Sequence, residues 1–277
     1  MSRLLDALGD RVVLGDGAMG TELLARGAAE DRNLSLLNLD HPELVLQVHR
    51  DYVAAGAELV RTNTFVASPR RLRERGVKAD VREVMRAGIR LARQAAGDHR
   101  LVVGSVGPLG DLGLDALASR WDYEQQFAIL AGGGCDALIL ETFTGHDDLD
   151  LALQGARRTG LPTLVQIASD RIVEEMRSHG FENIPDRFAS LGAAVAGVNC
   201  MTPDRSAALL SRFSGNGPIS LSAFPSAGEP GSYMAPEEFG GKVAPILDLG
   251  VRLVGGCCGT TPAHIRDLGA RLAERHR

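Results

Sequence analysis

Apolar residues along this chain fall into short unbroken runs that alternate with longer segments of amphipathic spacing. The runs read as strands over Val12 to Gly15, Glu58 to Thr64, Leu101 to Val106 and Asp136 to Glu141, then Pro162 to Ala168, Ala194 to Asn199, Pro218 to Ala223 and Val251 to Gly255. The segments between and after them predict helices over Pro42 to Ala55, Asp80 to Ala96, a stretch containing Tyr123 to Ala131, His146 to Arg158, Pro185 to Leu191, Pro203 to Phe213, Pro236 to Leu249 and Pro262 to Arg275. Pro42 opens the first of these and Gly56 ends it, while Asp80 caps the second and Gly97 stops it. The strands are apolar throughout rather than alternating, as strands covered on both faces are.

Eight strand–helix units in 277 residues have the size and order of a closed (β/α)8 barrel, a TIM barrel of the α/β class. No break in composition divides the chain, so residues 1–277 are read as one domain. Two connections exceed the minimal unit. Ala25 to Asp40 follows the first strand. Asp170 to Ile184, with Met176, His179 and Phe181, reads as a long polar connection after the fifth. Long loops on the catalytic face of a barrel are commonly lids or binding walls.

Composition narrows the function. Apolar residues make up 44% of the chain, enough for a sizeable core. A formal net charge of −5 with mixed signs lacks the basic face that nucleic acid demands. The densest basic run, Arg70 to Arg75, could hold a phosphate but reads better as a solvated helix face. Met1 to Arg11 lacks the apolar core of a signal peptide, and no run approaches the ~18 apolar residues that would span a bilayer. These features predict a soluble cytoplasmic protein, with neither membrane nor nucleic acid as partner, whose thiols stay reduced.

Four cysteines carry the candidate chemistry. Cys135 precedes the fourth strand, at the bottom of the barrel, and reads as a buried structural thiol. The other three sit at C-terminal strand ends, the face where barrel enzymes build their sites. Cys200 ends Val195-Ala196-Gly197-Val198-Asn199-Cys200, and Cys257 with Cys258 follows Val254-Gly255-Gly256. Gly255, Gly256 and Gly259 allow a tight turn that aims two consecutive sulfurs at one ion. Three thiolates with an open fourth position make a catalytic Zn²⁺ site, because structural zinc closes its tetrahedron with protein ligands. Such a centre carries a formal charge of about −1 and is soft, so it prefers sulfur as its fourth partner. It would hold a substrate thiol as thiolate near neutral pH while leaving that sulfur nucleophilic. The combination suits alkyl transfer to a thiol and suits hydrolysis poorly. Two rivals stand beside this reading: a non-catalytic zinc- or thiol-binding barrel, and a zinc hydrolase or aldolase. The latter needs a base or lysine at the metal, and Lys78 and Lys242 lie away from the strand ends. His146 and His264, just beyond strands four and eight, could act as ligand or base but read better as cap or surface residues.

At these residues the chain resembles the homocysteine S-methyltransferase family. The marks are Leu14-Gly15-Asp16-Gly17-Ala18-Met19-Gly20-Thr21-Glu22-Leu23, Arg61-Thr62-Asn63-Thr64-Phe65 and Gly104-Ser105-Val106-Gly107-Pro108, followed by Glu141-Thr142-Phe143, Gly197-Val198-Asn199-Cys200 and Gly255-Gly256-Cys257-Cys258-Gly259-Thr260-Thr261-Pro262. The resemblance spans nearly the whole chain. It implies that Cys200, Cys257 and Cys258 hold Zn²⁺ and that the sulfur of homocysteine takes the fourth place. It also implies that Glu141 and Asp16 hold the amino-acid end of homocysteine. The chemistry agrees, since an α-ammonium needs a carboxylate and an α-carboxylate is well served by the N–H groups of a turn such as Gly17, Ala18 and Met19. Asn63 and Thr64 are expected to line the pocket, and Asn199 to orient a ligand or its strand end.

The implied reaction is methyl transfer to homocysteine, giving methionine. The donor would be a small molecule, S-methylmethionine or S-adenosylmethionine. The alternative is a methyl-bearing corrinoid protein, with this chain as the homocysteine-activating subunit of a split methionine synthase or corrinoid methyl-transfer system. One departure bears on the donor. The betaine-using relatives carry Tyr just after the Thr-Phe pair of strand two, where this chain has Val66. Aromatic residues are only 4%, and Phe65, Phe143 and Trp121 are the candidates for holding an onium donor through cation–π attraction.

Overall fold

Eight parallel strands close into a barrel in the computed structural model, which describes residues 2–74, 76, 78–109, 116–213, 218–229 and 231–275. In chain order the strands are β1 (Val13–Leu14), β2 (Leu59–Arg61), β3 (Leu101–Val106), β4 (Ala137–Phe143), β5 (Thr163–Ile167), β6 (Val195–Asn199), β7 (Ser220–Phe224), β8 (Gly228–Glu229), β9 (Ser232–Tyr233) and β10 (Val251–Val254). The barrel runs β1-β10-β7-β6-β5-β4-β3-β2, and a parallel bridge from Gly15 to Leu59 brings β1 against β2. The short antiparallel pair β8–β9 lies outside it. The expected TIM barrel is therefore the observed one, with each strand boundary within a few residues of its sequence reading.

Why the strands read as unbroken apolar runs is plain from the packing. Successive side chains point to opposite faces of a strand, and both faces are covered here. Val13, Leu59, Val103, Ile139, Leu164, Val195 and Leu253 fill the barrel interior together with Phe224. Their neighbours Leu14, Val60, Val102, Leu138, Val165, Ala196 and Val254 face the surrounding helices. A helix at Arg3–Asp10 that the strand–helix reading omits closes the bottom, with Leu4 and Leu8 buried in the interior cluster. The i, i+4 spacing of those two leucines is its signal.

Other elements correct the expected loops. Asp170 to Ile184 is not an open polar connection: Asp170–Ser178 is a helix, with Ser169 Oγ accepting from Arg171 N–H and with Ile172, Val173 and Met176 buried. The polar residues that suggested a loop are its solvent face. The first long connection likewise follows a short helix at Gly20–Ala25 and holds a 3-10 turn at Leu34–Leu36 and a short helix at Leu37–Asp40. The basic run is helical over Pro69–Glu74, but its face is not merely solvated. Arg71 donates to Pro108 O at 2.7 Å and lies over Phe65, and Arg73 pairs with the buried Asp122. Arg75 lies outside the described residues. No helix among the described residues is long and apolar enough to cross a membrane.

Candidate active site

The C-terminal strand ends converge as a barrel requires, and the chain leaves β6 and β10 by constrained turns. After β10, the Gly255 N–H donates to Ala223 O at 3.0 Å, the Gly256 N–H to Asp16 O at 2.9 Å and the Cys257 N–H to Pro225 O at 2.7 Å. These bonds tie the turn to β1 and β7, so the backbone is no longer a strand when it reaches the two cysteines. A Cβ at Gly256 would stand 2.3 Å from Thr260 Oγ1, which is why glycine is needed there. Thr260 Oγ1 in turn donates to Cys257 O at 2.7 Å and accepts from the Ala18 N–H at 3.1 Å, joining the cysteine turn to the turn after β1. Cys200, just past β6, sits in the left-handed region at φ 58, with its N–H on Phe224 O at 3.2 Å.

These turns bring the three sulfurs together. Cys257 Sγ lies 3.0 Å from Cys200 Sγ and 4.0 Å from Cys258 Sγ, and Cys200 and Cys258 are 3.6 Å apart. All four cysteines are free thiols. Among the described residues this trio is the one group of cysteine, histidine and carboxylate side chains close enough to hold a metal ion. Without an ion the thiols titrate as a unit. Cys258 accepts from Cys200 and Cys257 and is drawn down to about 3. Cys200 accepts from Cys257, yet donation to Cys258 and burial push it up to about 12. Cys257, donor to both, rises as well. One thiolate is favoured and the second and third are opposed, and a divalent cation would remove that opposition. Cys135 is buried away from the trio and burial pushes it up to about 12, in keeping with a structural thiol.

Beside the sulfurs lies a cavity of about 360 Å³ lined by Asp16, Gly17, Ala18, Met19, Asn63, Phe65, Ser105 and Glu141, among others. Asp16 and Glu141 are both buried there, and both are held by Arg61. Arg61 Nε donates to Asp16 Oδ1 at 2.7 Å and its backbone N–H to Asp16 Oδ2 at 2.8 Å. Nη1 donates to Glu141 Oε2 at 2.8 Å, and Nη2 reaches the carbonyls of Gly17 at 2.8 Å and Gly256 at 2.7 Å. The guanidinium also lies over the Phe224 ring at 4.5 Å. Burial opposes its charge, but Asp16 and Glu141 outweigh that and hold it protonated. Burial raises Asp16 against the pull of Arg61. The Ser105 hydroxyl donates to the other oxygen of Glu141.

Not every expected pocket residue reaches the cavity. Asn63 does, braced by bonds from its Nδ2 to Leu34 O and Asn38 Oδ1, both at 3.0 Å. Thr64 is fully buried behind the wall, its hydroxyl donating to Ser105 O at 2.6 Å. Asn199 is also fully buried and works on the backbone of β4: its Oδ1 accepts from the Thr142 N–H and its Nδ2 donates to Thr142 Oγ1, both at 2.9 Å. Thr142 sits at φ 67, where β4 shifts register between Leu140 and Phe143, so Asn199 pins the irregular strand end next to Glu141. Phe143 points into the core and Trp121 is 54% exposed on the helix Ala116–Gly132, which leaves Phe65 as the cavity's aromatic wall among the three candidates. The two histidines serve locally. His264 accepts from Thr261 N–H and meets Met234 O at 2.9 Å, and His146 pairs with Asp147 and Glu175. Lys242 pairs with Asp204.

Arg61 is the residue that sequence reasoning passed over. Its signal was available: Leu59-Val60-Arg61 puts one charge at the end of an otherwise apolar buried strand, where charges occur almost only when paired.

Comparison with known proteins agrees with this geometry. The family model described as homocysteine S-methyltransferase matches residues 13–272. A methionine synthase of Mycobacterium tuberculosis is 33% identical over 98% of this chain. The chain spans only 25% of that protein's length. A homocysteine S-methyltransferase of Escherichia coli is 30% identical, over 94% of this chain and 95% of its own. The metallated form of the Escherichia coli homocysteine methyltransferase MmuM superposes with a TM-score of 0.81 at 26% identity, covering 97% of this chain and 98% of that one. On fold, motif positions and these matches, the chain belongs to the homocysteine S-methyltransferase family.

Proposed function

We propose that this protein transfers a methyl group to the thiol of homocysteine, giving methionine, with Zn²⁺ held by Cys200, Cys257 and Cys258. The observation that carries this reading is the convergence of three sulfurs, 3.0 to 4.0 Å apart, on the rim of a cavity that also holds Asp16 and Glu141. A tetrahedral zinc with Zn–S bonds of about 2.3 Å spaces its sulfurs about 3.8 Å apart, so the donor set suits that ion. When bound, the ion supplies stabilisation of the acceptor sulfur as thiolate near neutral pH. The chain's own residues do the rest. Each oxygen of Glu141 accepts one bond from Ser105 or Arg61, and a carboxylate oxygen has two lone pairs, which leaves one acceptor site on each oxygen for the N–H donors of an α-ammonium. The turn at Gly17, Ala18 and Met19 faces the cavity for the α-carboxylate, with the Ala18 N–H already given to Thr260 Oγ1. Holding both ends of the acceptor orients its sulfur for in-line attack on a methyl group entering from the open side, and such pre-orientation is a large part of the rate.

The donor that this reading favours is a small onium compound, S-methylmethionine or S-adenosylmethionine, with Phe65 as its aromatic wall. A second reading draws on the likeness to a quarter of a methionine synthase: the methyl group would come from a corrinoid-bearing partner. One donor panel separates them. Homocysteine is offered to the zinc-loaded protein with S-methylmethionine, S-adenosylmethionine, betaine or methylcobalamin, and methionine is quantified. Product with an onium donor supports the first reading, and product only with methylcobalamin the second. Cys257→Ser is expected to abolish product with every donor; full activity in that variant would overturn the proposal.

A further inference from the structure

We infer that Arg61 sets the charge specificity of the acceptor pocket: it offsets one of the two buried carboxylates, so that the site selects a zwitterionic thiol amino acid over a cationic aminothiol. The inference rests on the reading of this cavity as the acceptor site. Among the described lining residues Arg61 is the sole lysine or arginine, against Asp16 and Glu141. Counted over these three side chains, apart from the metal centre that is common to every variant, the pocket floor therefore carries a formal charge of −1 rather than −2. Its position is fixed from several sides, since Arg61 comes from β2 and bonds Asp16 and Gly17 after β1, Glu141 on β4 and Gly256 after β10, while stacking on Phe224 of β7. The guanidinium makes four side-chain bonds of its five possible, so it serves as a fixed charge under the ligand rather than as a ligand clamp.

The consequence follows from counting charge. The ammonium of homocysteine is attracted by the carboxylates and its α-carboxylate is repelled by them. With Arg61 present, one attraction is kept and the repulsion is roughly halved. Remove the cation and the floor draws in any ammonium more strongly while rejecting the α-carboxylate. A ligand with the same thiol and amine but no carboxylate, 3-aminopropane-1-thiol, isolates this effect. One unit charge within several ångströms, in partly buried surroundings, changes such a preference by about tenfold or more.

The test is equilibrium binding by calorimetry, without donor, of L-homocysteine and 3-aminopropane-1-thiol to the zinc-loaded full chain. Wild type is expected to prefer homocysteine. Arg61→Met is expected to shift the ratio of the two dissociation constants toward the aminothiol by about tenfold or more. Arg61→Lys, which keeps the charge and loses the fork, is expected to restore the ratio while weakening both ligands. Arg61→Gln stands in if Arg61→Met does not fold, with the same expected shift. An unchanged ratio in the neutral variant, or a lysine variant that behaves like the neutral one, would overturn the role of Arg61. Wild type that binds zinc but neither thiol would instead overturn the acceptor-site reading itself, and this inference with it.

Discussion

Asn199→Ala is the most informative single perturbation outside the metal ligands, because it acts on the site without touching the cavity. Asn199 makes two bonds to Thr142, one to its N–H and one to its hydroxyl, both at 2.9 Å. Thr142 holds φ 67, a region that costs a non-glycine residue on the order of 1–2 kcal/mol and persists only where neighbours impose it. Two neutral hydrogen bonds contribute about 1 kcal/mol each, and truncation leaves a small void at a fully buried position. The expected loss is therefore about 2–3 kcal/mol. Urea denaturation of the zinc-free protein measures it without a contribution from metal binding. Thr142→Gly supplies the control. Glycine tolerates φ 67, which offsets the lost hydroxyl bond, so this variant should stay within about 1 kcal/mol of wild type. In that background Asn199→Ala should cost only the remaining backbone bond, about 1 kcal/mol, and the two changes should not add. Homocysteine binding should weaken in Asn199→Ala, since Thr142 follows Glu141 directly. A cost within 0.5 kcal/mol of zero, against the roughly 2–3 kcal/mol expected, or strict additivity with Thr142→Gly, would refute the reasoning.

Further outcomes can be checked independently. His49 is fully buried with no hydrogen-bond partner for either ring nitrogen among the described residues, and burial draws it down from 6.5 to about 3. The unfolded chain then binds the proton first, so this contribution to stability is complete above pH 6.5 and is lost toward pH 3 at up to about 1.4 kcal/mol per pH unit. His49→Leu should flatten that part of the pH profile of urea midpoints, and an unaltered slope would contradict the assignment. Leu8→Ala should cost about 2–5 kcal/mol by thermal or urea unfolding, because the side chain is 2% exposed in the barrel floor; a loss below that range would mean the N-terminal helix is not integral to the core. An aromatic disulfide reagent should modify the native zinc-free protein first at Cys258, the half-buried thiol that is drawn down, but spare Cys135, and zinc loading should slow the reaction about tenfold or more. Equal rates with and without zinc would count against ligation by the cysteine trio.

How far the sequence carried the structure depends on which physics was local. The barrel was legible because a strand covered on both faces has to be apolar at every position, and eight such runs recur with helices between them. The cysteine trio was legible because glycine-rich turns at strand ends have few uses. The helix Asp170–Ser178 was missed because its exposed face is polar enough to mimic a loop, with only Ile172, Val173 and Met176 marking the buried side. Thr64 lies behind the wall rather than on it for a different reason, and Asn199 orients a strand end that belongs to β4 rather than its own. Membership in a strand-end motif fixes the position of a residue but not whether its side chain faces the ligand or the neighbouring strand. Arg61 was the costliest omission: its partners lie 45 and 80 residues away, so no local pattern announces the pairing, and only the closure of the barrel brings them together.

Proton release on acceptor binding tests the central claim most directly. Zinc-loaded protein is mixed with homocysteine near neutral pH in weak buffer, and the protons set free are counted with an indicator dye. Release of about one proton per zinc, abolished in Cys257→Ser, is the result expected if Cys200, Cys257 and Cys258 hold an ion that takes the acceptor as thiolate. Homocysteine binding with no proton released, or equal release from the serine variant, would contradict it.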